Sequence, residues 1–81
     1  MVQEINEKIK VGAVFEDSKV LPKWFIWKKR KYSVSEVTFS WQNKSGEARV
    51  LFFSVSDGAN LFEISLNQKT LEWYLVGIEN G

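Results

Sequence analysis

The sequence predicts an all-β domain: a six-stranded antiparallel meander that forms a curled sheet or small barrel. Three observations carry this expectation. Apolar and polar residues alternate with a period of two along most of the chain, the pattern of strands with one buried face. Turn-forming clusters interrupt the alternation at short intervals, at residues 28–30, 43–46, 56–60 and 67–70. With only 81 residues, a flat open sheet would leave a whole face and two edges bare, so the sheet has to bend around its own core.

The elements follow in order. Ile9, Val11, Ala13 and Phe15 alternate with polar or small neighbours and predict a first strand over residues 8–15. Residues 1–8 read as a loosely ordered arm or a single helical turn, since Asn6 and β-branched neighbours disfavour a longer helix. The stretch 16–22, closed by the only proline, reads as a loop. Residues 24–27 form a short second strand. Tyr32, Val34, Val37, Phe39 and Trp41 predict a long third strand, whose spacing slips by one at Ser35 and Glu36. One β-bulge accounts for that slip and bends the strand.

A turn at 43–46 supplies Gly46 for a positive φ. A fourth strand covers 48–55, and Asp57 with Gly58 marks a tight hairpin. In the fifth strand, 61–66, Phe62, Ile64 and Leu66 share a face; in the sixth, 71–78, Leu71, Trp73 and Leu75 do. The expected core is Ile9, Val11, Phe15, Phe25, Trp27, Tyr32, Val34, Val37, Phe39, Trp41, Phe53, Val55, Phe62, Ile64, Leu66, Trp73 and Leu75. Residues 1–81 read as one domain, with no internal repeat, linker or low-complexity tract.

Composition narrows the chemistry. A 44% hydrophobic content, with four Trp and six Phe, is enough to fill a small core and argues against global disorder. The chain has neither Cys nor His, so disulfides, thiolate metal sites, a cysteine nucleophile and a histidine base are all excluded. Ser54, Ser56 and Ser65 have no histidine to activate them, and the acidic residues follow no calcium-loop pattern. These absences predict a protein that is not an enzyme and that uses no metal or cofactor. No apolar run is long enough for a membrane helix, and the polar start is unlike a secretory signal; a cytoplasmic protein without a membrane role is expected.

The spacing F-x-W, four residues, Y-x-V-x-x-V-x-x-x-W is carried here by Phe25, Trp27, Tyr32, Val34, Val37 and Trp41. Together with Phe53, Val55, Asp57, Gly58, Trp73 and Leu75, it resembles a small bacterial β-domain family of uncharacterised function, over residues 9–78. The resemblance implies a non-catalytic β domain. It also implies a nucleic-acid setting, because a similar pattern occurs beside DNA-repair polymerase components in some bacteria. Where that family carries a glycine-arginine turn, this chain has Lys29 and Arg30.

Charge singles out the same region. Net charge is +1, yet residues 23–31 alone carry +5 and the remainder carries −4. Lys23, Lys28, Lys29, Arg30 and Lys31 are the expected phosphate contacts of a basic and aromatic hairpin over residues 23–32. Alternation turns Trp24 outward beside them, and Phe52 and Tyr74 extend the surface as stacking platforms. The expected function is a non-catalytic binding module working through this hairpin, with single-stranded nucleic acid as one of two candidate partners. The alternative is a protein partner or self-association through the exposed aromatics, with the hairpin lysines serving only solubility and edge protection.

Overall fold

The computed structural model describes residues 2–79. Among the described residues there is no helix, and seven strands follow one another. They are β1 (Val2–Glu16), β2 (Lys19–Trp27), β3 (Arg30–Ser33), β4 (Glu36–Ser45), β5 (Ala48–Ser56), β6 (Leu61–Asn67) and β7 (Trp73–Glu79). All pairs are antiparallel, and the order across the sheet is β3-β2-β1-β7-β6-β5-β4.

β1 makes the curl. Its residues 2–9 pair with β7, and its residues 10–16 pair with β2. Between Glu4 and Glu7 the register shifts, and Asn6 takes a left-handed φ of 53°, tolerable for asparagine. One strand therefore serves two walls of a half-barrel, β1-β7-β6-β5-β4 and β1-β2-β3. The core lies between them: Ile9, Phe25, Phe53, Val55, Phe62, Ile64 and Leu75 form one buried cluster. Phe25, wholly buried, stacks on Tyr32 at 5.0 Å and meets Phe62 of the opposite wall edge-on at 5.1 Å.

β3 and β4 are neighbours in the chain but lie at opposite ends of the sheet order. The crossing takes two residues. Val34 donates its N–H to the Lys23 carbonyl of one wall, and Ser35 donates to the Ser56 carbonyl of the other. The expected long third strand is thus two strands, and the count is seven where six were expected. The expected bulge at Ser35 and Glu36 is this crossing. The true bulge lies just beyond it, between Val37 and Phe39.

That displacement reverses two side chains. Val37 pairs with inward Val55, whereas Phe39 pairs with outward Ser54 and Trp41 with Phe52. Phe39 is accordingly 65% exposed rather than core. Phe15, 68% exposed, also leaves the expected core, because that part of β1 runs past the end of β7. Leu71 sits in the loop ahead of β7 at φ 63°. The expected arm is strand from Val2 onward, Met1 lying outside the described residues. The expected loop at 16–22 is a hairpin turning at Asp17 and Ser18, with Pro22 buried in β2.

Candidate nucleic-acid interface

The β2–β3 ribbon pairs Trp24 with Ser33, Phe25 with Tyr32, Ile26 with Lys31 and Trp27 with Arg30. This register leaves Lys28 and Lys29 as a two-residue turn, with φ of 51° and 64°. Two consecutive left-handed residues match the twist of a tight ribbon, and asparagine followed by glycine is the sequence that adopts them readily. Lysine at each costs roughly 1–2 kcal/mol of backbone strain.

The ribbon does not display its cations together. Phe25, Trp27 and Tyr32 face the core, and the Arg30 guanidinium lies on that side, 5.4 Å from the centre of the Tyr32 ring. Lys31, opposite Ile26, faces outward with its ammonium 5.1 Å from the Trp24 ring. Lys28 and Lys29 form the tip, and the Lys28 ammonium is 4.9 Å from the Trp27 ring. Lys23 is the extra residue where the β1–β2 register shifts beside Gly12 and Ala13, away from the tip.

β1 supplies cations that sequence reasoning missed. Lys10 pairs directly with Ile26, and Lys8 follows on the same face. Lys8, Ile9, Lys10, Ile26, Lys28 and Lys29 line one shallow open groove. The signal for Lys8 and Lys10 was present in the alternation of lysines with Ile9 and Val11, but their proximity to the ribbon depends on strand order. One carboxylate borders the groove: Glu72 pairs with Lys8 at 2.8 Å. Glu7, opposite Leu75 on the inner face, accepts a hydrogen bond from Trp27 Nε1 at 3.0 Å. The hydrogen bond and charge of Lys8 hold the Glu72 carboxyl below its ordinary range, and Glu72 in turn raises Lys8.

Trp24 is half-buried, its indole lying against the backbone of Gly12, where any β-carbon would overlap the ring. With Lys31 beside it, the indole is more enclosed than an open stacking platform. Tyr74 pairs with Lys8 on the outer face and so joins the groove's border. Phe52 lies two strands farther along the same outer row, across Ser65 from Tyr74; it stacks on Trp41 at 5.3 Å and 6°, and Trp41 in turn meets Phe39 at 5.6 Å.

Asp57 Oδ1 accepts from the backbone N–H groups of Ala59 at 2.9 Å and Asn60 at 2.8 Å, which accounts for the residue structurally. No family model, curated protein or solved structure matches this chain. The functional reading therefore rests on the residues themselves.

Proposed function

We propose that the protein is a non-catalytic module that binds single-stranded nucleic acid on the outer face of the β1-β2-β3 wall. One observation carries the reading: Lys8, Lys10, Lys28 and Lys29, from two separate parts of the chain, converge on an apolar floor made by Ile26. Two of these lysines occupy turn positions that strain their backbone. Strain held at a charged tip, where asparagine and glycine would relieve it, supports a role for those charges beyond folding.

In this arrangement the lysines hold phosphates, while Ile26, Trp24 and Tyr74 offer apolar and aromatic contact to bases. Lys31 drawn away to a phosphate would free the Trp24 ring. The groove lacks the Asn, Gln and Arg that read base edges, so binding is insensitive to sequence. Neutralising about four phosphates on a single strand gives a log–log salt slope of about −3.

The test is a fluorescence-anisotropy titration with a short labelled single strand, between about 50 and 200 mM salt. The variant carrying Lys28→Asn and Lys29→Gly should melt several degrees higher, since relief of about 1 kcal/mol is worth roughly 4–8 °C in a domain of this size. It should also bind at least about tenfold more weakly at the low-salt end. Lys10→Glu should weaken binding without changing the fold. Unchanged affinity in both variants would remove the groove from the reading, and affinity indifferent to salt would favour an apolar protein partner instead.

A further inference from the structure

The row of outward side chains that leaves the groove at Lys8 does not stop at Tyr74. It runs Lys8, Tyr74, Ser65, Phe52 and Trp41, each directly opposite the next on neighbouring strands. Ser65 is only 6% exposed although it lies on the outer face, so its larger neighbours close over it and the floor is continuous. Phe39, 65% exposed, adds a further ring beside Trp41 at the far end. Charge divides the ground on either side of this row. On one side Glu4, Glu63 and Glu79 share the outer face, with Gly77 between Glu4 and Glu63. On the other side lie Asn67, Val50 and Asn43, uncharged and paired in that order. Glu72, at the β7 end of that side, is neutralised by Lys8 at 2.8 Å.

We infer that a single strand held in the lysine groove continues along this row to Trp41, its bases on Tyr74, Phe52 and Trp41 and its backbone on the side of Asn67 and Asn43. This path rests on the nucleic-acid binding proposed above and carries it from one wall onto the other. The row begins at Lys8, a cation that already lines the groove. Aromatic rings accept the face of any base, which suits a site that does not read sequence. The three carboxylates repel phosphates and close one side of the path to the backbone. On the open side, asparagine amides donate to phosphate oxygens. Asn67 Oδ1 already accepts from the N–H groups of Lys69 and Thr70, which leaves its NH2 group for that task. From Lys8 to Trp41 the row crosses four strand spacings, about 19 Å, so only a strand longer than the groove fills it.

Fluorescence anisotropy with two labelled oligothymidines, about four and about ten residues long, separates this path from the groove alone. Phe52→Ala and Trp41→Ala should each weaken the longer strand about tenfold or more, while the shorter strand binds both variants like the parent. Far-ultraviolet circular dichroism checks that both variants fold. Asn43→Lys adds a cation on the backbone side, so it should tighten the longer strand alone and steepen its log–log salt slope by about 0.7. A longer strand indifferent to all three substitutions, with the shorter one still bound, would overturn the path and leave the groove standing. Failure of the parent to bind either strand would overturn both. Self-association weakened by Phe52→Ala or Trp41→Ala in sedimentation equilibrium, with oligonucleotide affinity unchanged, would make the row a protein contact and overturn the inference.

Discussion

Asp57 and Asn67 solve one problem in two ways. Each places its Oδ1 over the two backbone N–H groups that follow in its turn, Ala59 and Asn60 in one case, Lys69 and Thr70 in the other. Only the first can titrate. The N–H groups of Asn60 and Ala59 hold the Asp57 carboxyl below its ordinary range, with a smaller pull from Arg30. A carboxylate with a depressed folded value stabilises fully above its unfolded value, about 3.9, and that contribution fades as pH falls through the folded one. Asp57→Ala should therefore cost about 1 kcal/mol in urea unfolding at neutral pH. The gap from the parent should narrow below about pH 4, and a gap constant across that range would contradict the turn's account. The exposed pair of Lys8 and Glu72 adds little by comparison. At this scale the turn chemistry of Asp57 and Gly58 was legible, although the loop spans four residues, 57–60, rather than two. The left-handed tip was not, because a lysine carries no sign of a positive φ.

Among the elements, β5 and β6 could be read from alternation alone, since each crosses the core with its parity unbroken. β1 and β4 could not. In β1, the bulge at Asn6 breaks the alternation within the half that pairs with β7. In β4, one extra residue at Thr38 turns Phe39 and Trp41 to the outside, and an apolar residue looks the same in sequence whichever face it takes. The break between β3 and β4 was hidden for a related reason: extended residues on both sides of Ser35 continue one pattern while pairing with different walls. The candidate site was legible as a basic and aromatic ribbon. Its partition into an outer groove with Lys8 and Lys10, and an inner Arg30, needed the order of strands. The join of β1 to β2 also rests on Gly12. Gly12→Ala should push the Trp24 indole outward, costing about 1–3 kcal/mol. Tryptophan emission should shift to longer wavelength, and an unmoved spectrum with unchanged stability would show that the ring does not depend on the bare backbone beneath it.

For the whole molecule, Phe25 joins the walls, touching Tyr32 on its own side and Phe62 across the core, where Tyr32 also reaches Phe62 at 5.3 Å. Phe25→Ala should cost about 3–5 kcal/mol, most of what a domain of this length has to lose. A cooperative melt near the parent temperature would mean the walls are joined mainly elsewhere. The charge balance also makes sense at this scale. The +5 stretch is spread over two faces and a tip, so no single face carries the whole of it.

The pairing of β1 with β7 sets the order of events in folding. Val2 lies beside Glu79, so residues 2–9 of β1 wait for nearly the whole chain before their partner exists, while residues 10–16 can pair early with β2. Bringing together segments so distant in sequence carries a loop-closure cost that local hairpins avoid, which places refolding in the millisecond-to-second class of non-local β proteins. On the ribosome, the hairpins from β2 to β6 can form early, but the wall closes only after the last strand has emerged.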